Sequence, residues 1–173
     1  MQRRELPEEP AVFNTSPLIF LDSLGYVPLL RRLYRVVLPV AVSEELSARP
    51  GLAGSGVVSS EWVERRAPSA EVVRRVRREP PAVGGGETEV IALGLELSCP
   101  VVLDDRKARL RARRAGLEIT GTLGVLLRLH RLGLASRGIE EDLELLEEAD
   151  MRISPELRRA VLGLEAEERD ENR

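Results

Sequence analysis

Two adjacent aspartates close the apolar run Val101-Val102-Leu103-Asp104-Asp105, and the basic segment Arg106-Lys107-Ala108-Arg109 follows at once. Neighbouring carboxylates repel each other, a cost tolerated more readily where a cation neutralises them. Arginines directly behind such a pair suit an anionic substrate. The chemistry suggested is a divalent metal meeting a phosphate. Other acids occupy comparable places: Glu44 and Glu45 follow Val36-Val37-Leu38, and Glu87 follows Gly84-Gly85-Gly86. Asn14, after Ala11-Val12-Phe13, offers an amide oxygen and no charge. Taken singly, each has a plain explanation, because acids cap helices and complement their dipoles. Together they bring several polar groups toward one end of one sheet.

Alternating strands and helices must position these groups. Val101–Leu103 reads as a buried parallel strand, since a short unbroken apolar run fits a strand covered on both faces. Ligands gather beyond the carboxyl ends of strands in open α/β sheets, so Asp104 and Asp105 should face a crevice. Ala11–Phe13, Val36–Leu38 and Leu117–Thr120 predict further strands, as does Val57–Val63 with Trp62 inside it. Thr15 or Ser16 can cap a helix that has Pro17 in its first turn and stops at Gly25. Further helices are expected over Val27–Leu33, around Val42–Leu46, over 69–78 and from Glu87 to Leu97. Others cover Asp105–Ala115, Leu123–Leu132, 139–149 and 155–169. This alternation implies an α/β fold whose parallel sheet is covered on both faces.

The 173 residues suit one domain, long enough to bury roughly two-thirds of its unfolded surface. With 43% hydrophobic and 32% charged residues the composition is that of an ordinary globular protein. No apolar run reaches the ~18 residues of a membrane span. Residues 1–10 are charged and proline-rich without an apolar core, so they predict a flexible lead rather than a signal peptide. The single cysteine, Cys99, excludes an internal disulfide or a multi-cysteine zinc site, fits a reducing cytoplasm, and reads as a small buried residue. The net charge of −3 conceals an asymmetry. Residues 101–137 carry nine Arg or Lys against three acids, and residues 138–173 carry thirteen acids against five arginines. A nucleic-acid-facing surface can therefore lie on the middle of the chain. On a helix Arg106, Arg109 and Arg113 share one face, with Ala108, Ala112 and Ala115 on a small face toward the sheet. Thr122 could offer a hydroxyl or N–H to a phosphate at the next helix start. Arg74, Arg75, Arg77 and Arg78 read as a solvated face, and His130, inside an apolar pattern, as structural. Leu18, Leu21, Leu29, Leu30 and Leu33 either fill the core or support an interface.

Five segments together resemble the PIN-domain family, in the subgroup found in toxin–antitoxin loci. They are Phe13-Asn14-Thr15-Ser16-Pro17-Leu18-Ile19, Leu38–Leu46, Gly86–Leu93, Leu103–Arg109 and Thr120–Leu126, in the family's order. The resemblance implies a three-layer α/β/α nuclease with a mostly parallel sheet of four or five strands. Its domain would span residues 11–137, with residues 138–173 as an acidic helical extension packed on it or flanking it. It further implies Mg²⁺ or Mn²⁺ held by clustered acids, hydrolysis of RNA phosphodiesters, a small antitoxin partner and a homodimer. The family's four acids fall on Asn14, Glu45, Glu87 and Asp105, and Asp104 is an additional candidate. Asn14 departs from that pattern: its carbonyl can coordinate a hard cation but adds no charge, so metal affinity should drop.

Two rival readings accompany the nuclease. A non-catalytic interaction module would keep the fold and use the acidic C-terminal segment for docking. A phospho-acceptor domain also has an acidic pair at a strand end, but it needs a lysine on a later strand, and the sole lysine here is Lys107. A dinucleotide site is excluded, because Gly84-Gly85-Gly86 follows no clear strand and lacks the GxGxxG spacing.

Overall fold

The computed structural model describes residues 9–171. Among them five strands form one all-parallel sheet in the order β3-β2-β1-β4-β5. The strands are β1 (Pro10–Phe13), β2 (Arg35–Pro39), β3 (Glu64–Arg66), β4 (Val101–Val102) and β5 (Ile119–Thr120). The helices are α1 (Thr15–Ser23), α2 (Val40–Ser47), α3 (Ala70–Arg78), α4 (Gly85–Leu97), α5 (Arg106–Arg114), α6 (Thr122–Arg131), α7 (Ile139–Glu148) and α8 (Pro155–Glu171). Short 3₁₀ turns cover Val27–Arg32 and Ser55–Ser59. The expected lead over residues 1–10 falls on residues 1–8, which lie outside the described residues; Pro10 is the first residue of β1, in register with Arg35.

The central strands are buried on both faces, as their apolar runs require. Ala11, Val12, Phe13, Val36, Val37, Leu38, Val101 and Val102 are inaccessible to solvent. Burying each Val, Leu or Phe among them is worth about 1.5–3 kcal/mol, which fixes the register. Helix α4 lies over β1, β2 and β4 and collects α2, α3 and α5 around it. Helices α1, α6 and α7 pack together, and α8 packs on α6 and α7. The result is a three-layer α/β/α fold. Leu18, Leu21, Leu30 and Leu33 are part of its core, and the half-buried Leu29 packs against it.

The expected strand over Val57–Val63 is corrected: the 3₁₀ turn Ser55–Ser59 occupies its first half, and the strand is β3. Being an edge strand that pairs only with β2, β3 needs no apolar face, and it is built of Glu64, Arg65 and Arg66.

Close approach of α4 to β4 depends on Gly94, where a Cβ would sit 2.5 Å from Val101 Cγ1 and 3.2 Å from Leu117 Cδ1. Gly94→Ala should therefore cost about 1–2 kcal/mol in urea unfolding despite the better helix propensity of alanine. A variant as stable as wild type would show that α4 can lift off the strand freely.

A buried polar knot joins distant parts of the chain. Asp142, fully buried on α7, accepts hydrogen bonds from the Tyr26 hydroxyl at 3.0 and 3.1 Å and from Arg137 Nε at 2.8 Å, and lies 2.8 Å from His130 Nε2. Tyr26 Oη in turn accepts from the Ser136 and Arg137 N–H groups, and the Arg137 guanidinium lies 4.9 Å over the Tyr26 ring. His130 is thus a structural residue. Cys99 is buried, which pushes its thiol up to about 11 and keeps it from acting as a thiolate near neutrality.

Candidate active site

The sheet order places a topological switch between β1 and β4: the chain steps through β2 and β3 to one side and reaches β5 on the other. Crevices form beyond the carboxyl ends of strands at such points. Asn14 follows β1 directly, and its N–H donates to Val102 O at 3.1 Å, so it sits in this gap.

Asn14, Glu45 and Glu87 are brought together there. Asn14 is the N-cap residue of α1, yet its side chain makes no capping bond. Instead Nδ2 donates to Glu87 Oε1 at 3.3 Å, while Oδ1 is buried with no partner. Glu87 stands in the first turn of α4, where the helix dipole favours a carboxylate. Glu45 reaches in from α2, and its Oε2 accepts from Thr15 Oγ1 at 2.5 Å. The expectation that Thr15 or Ser16 caps α1 is thereby corrected, since the Thr15 hydroxyl is spent on Glu45. Gly86 makes the meeting possible: a Cβ there would lie 3.0 Å from Glu45 Oε1 and 3.4 Å from Asn14 Oδ1.

Glu89, which the sequence did not single out, ties the two helices. Its Oε2 accepts from the Ala41 N–H at 2.9 Å, satisfying an otherwise orphaned donor in the first turn of α2. Its only sequence signal was its place two residues after Glu87.

The aspartate pair divides its labour. Asp104 accepts from the Thr122 N–H at 2.8 Å and the Thr122 hydroxyl at 2.6 Å. Thr122 is fully buried with both donors taken, so it holds Asp104 rather than meeting a phosphate. Asp105 is exposed and caps α5 through Oδ1, which accepts from the Ala108 N–H at 2.8 Å. Arg109 turns inward and donates from Nη1 to Leu103 O at 2.8 Å, whereas Arg106 and Arg113 are exposed. Among the described residues no three His, Cys, Asp or Glu side chains are grouped so as to hold a metal ion. Two carboxylates and one amide oxygen form the cluster around Gly86, and the aspartates stand beside β4.

Burial pushes the Asp104 carboxyl above its usual range, against the Thr122 hydrogen bonds and the Arg109 charge, which pull it down. Between the ordinary and the raised value the native state binds more protons than the unfolded state, so this group makes stability fall as pH rises. Asp104→Asn retains an acceptor for Thr122 and should remove that part of the slope. Urea unfolding followed from about pH 4 to about pH 7 checks this, and an unchanged slope would refute it.

A family model described as a PIN domain matches residues 10–167. The chain belongs to the PIN-domain family, generally a nuclease fold. No curated protein matches the chain. Solved structures match as well, among them a PilT N-terminus domain protein from the hyperthermophilic archaeon Sulfolobus solfataricus. That protein is 21% identical, with a TM-score of 0.47 over 67% of this chain and 89% of its own.

PIN domains typically use divalent metal ions, and the donors at Gly86 fit one. All are hard oxygens, and Asn14 Oδ1 is a buried acceptor that lacks a donor. Among the described residues no helix is long and apolar enough to cross a membrane.

Proposed function

We propose that this chain is a metal-dependent endoribonuclease. The observation that carries the reading is the unpartnered, buried Asn14 Oδ1 beside the Glu45 carboxylate at Gly86, with Glu87 bonded to the same asparagine. Glu45, Glu87 and the Asn14 oxygen would hold Mg²⁺ or Mn²⁺, with Asp105 and Asp104 completing the set from the β4 side. Such a cation supplies charge stabilisation at the phosphoryl oxygens of the scissile bond. The chain's own part is positioning. Thr15 fixes the Glu45 carboxylate, the Asn14 amide fixes Glu87, and Thr122 fixes Asp104. Exposed Arg106 and Arg113 are free to meet phosphates of the RNA, and Arg109 stiffens the turn between them and β4.

The likeness of the five motifs supports a finer reading: a cytoplasmic toxin paired with a small antitoxin, working as a homodimer. In it residues 11–137 carry the chemistry, and the acidic residues from 138 onward form an extension along them.

Incubation of the purified chain with single-stranded RNA and Mn²⁺ tests the proposal. Cleavage should require the metal and disappear in Asp105→Asn; persistence in that variant would remove Asp105 from the site. A second reading, a PIN-fold interaction module without catalysis, is favoured by the neutrality of Asn14. Calorimetry separates the two. Heat of Mn²⁺ binding, stronger in Asn14→Asp, supports the nuclease, and no binding at millimolar metal supports the module.

A further inference from the structure

We infer that α3 and the outer face of α5 form a track for the phosphate backbone of single-stranded RNA, leading to the Glu87–Asp105 end of the sheet. The inference rests on the nuclease reading and adds where the substrate lies. Arg74, Arg75 and Arg78 line an open cleft of about 540 Å³ on α3. All three are exposed, and none has an ion-pair or hydrogen-bond partner among the described residues. Two carboxylates share the cleft: Glu71, in the first turn of α3, and Glu79, which is taken up by the buried Arg111 at 3.1 Å, so the three arginines outnumber the one remaining acid.

Two bonds join this cleft to α5. Arg111 Nη2 donates to Val76 O and Arg114 Nη1 donates to Pro80 O, both at 3.3 Å. Ser69 N–H, just before α3, donates to Glu96 Oε1 near the end of α4 at 2.7 Å. Helix α3 therefore runs back along α4 and finishes toward the end that bears Glu87. Helix α5 starts directly behind Asp105 with Arg106 and Lys107, and Arg113 follows two turns on; all three are exposed and unpaired among the described residues.

The helix dipole accounts for arginines in the last turn of α3, but it disfavours cations in the first turn of α5. Arg106 and Lys107 stand at that disfavoured end, where the neighbouring Asp105 offsets part of the cost and leaves room for a further attraction. A polyanion supplies it. Neither α3 nor α5 carries an aromatic residue on which a base could stack, so the track should meet phosphates and be indifferent to base identity.

The experiment uses the full chain, without divalent metal so that nothing is cut, and fluorescein-labelled single-stranded RNAs of two sequences. Arg74→Glu, Arg75→Glu and Arg78→Glu combined should weaken binding of both by a similar factor, about 10- to 100-fold at about 50 mM salt. The slope of log affinity against log salt should become shallower by about 2, from ~0.7 per lost contact. The corresponding triple Arg→Lys variant should bind like wild type. Arg31→Glu with Arg32→Glu, in the 3₁₀ turn before β2 that packs on α1, should also bind like wild type. Thermal melts establish that each variant is folded. Wild-type affinity and slope in the triple Glu variant, or loss of binding for one RNA sequence only, would overturn the track. Failure of wild type to cut RNA with Mn²⁺ would instead overturn the nuclease reading.

Discussion

Asp142→Ala should lower the unfolding free energy by about 3–5 kcal/mol in urea titration, the cost of breaking a buried ion pair from one side. Asp142 is fully buried and is the common acceptor for the Tyr26 hydroxyl and the Arg137 guanidinium, with His130 against it. Removing it leaves the buried Tyr26 hydroxyl without its acceptor, and Arg137, which is only 26% exposed, without its counter-charge. No bulky apolar group replaces the carboxylate, so a cavity adds to the loss. The loss should be concentrated in α7 and in the junction after Leu24, and hydrogen exchange there should quicken most. Asp142→Asn keeps one acceptor oxygen and should lose less. A penalty below about 1 kcal/mol, the scale of an exposed ion pair, would mean that water already reaches the knot.

Glu87→Gln should reduce RNA cleavage about 1000-fold, some 4 kcal/mol in the transition state, while moving the melting temperature by no more than about 2–4 °C, the scale of a lost helix-dipole contribution. The amide keeps the Oε1 acceptor that Asn14 Nδ2 uses, so the local hydrogen bond survives and only charge is lost. Because Asn14 is already neutral, the cluster around Gly86 then retains a single carboxylate, that of Glu45. Mn²⁺ affinity measured by calorimetry should therefore fall together with the rate. Equal metal affinity with a lower rate would assign Glu87 to substrate rather than metal, and an unaltered rate would remove it from the site.

Much of this architecture was legible because buried parallel strands announce themselves as unbroken apolar runs. β1, β2 and β4 were found at Ala11–Phe13, Val36–Leu38 and Val101–Leu103, and their ends located Asn14 and Asp104. β3 was missed for the converse reason: an edge strand of Glu64, Arg65 and Arg66 has no apolar face to show. Val57, by contrast, is buried from a 3₁₀ turn, where apolar residues carry no period that marks a strand. Nothing in the sequence sets Arg111 apart from the other arginines of α5, yet its side chain is 2% exposed and fastens α3 to α5. Its burial follows from a partner some 35 residues away, which no local pattern reports. The same holds for Tyr26 and Asp142, separated by 116 residues, and for Asp104 and Thr122, separated by 18. Residue types revealed the candidate acids, but only the tertiary fold assigned their neighbours.

The hydrogen bond from Ala41 to Glu89 bears on how the site withstands motion. Glu87 and Glu89 share α4, and Ala41 and Glu45 share α2, so the spacing of the two acids is set by two short helical segments and one 2.9 Å bond. This tie runs from helix to helix, beside the packing of both helices on the sheet. The bond ties α2 to α4 and so sets the gap between the two acids, as a screw sets the jaws of a caliper. Cutting the link, as in Glu89→Ala, would let α2 and α4 drift separately and turn a fixed gauge into a loose one.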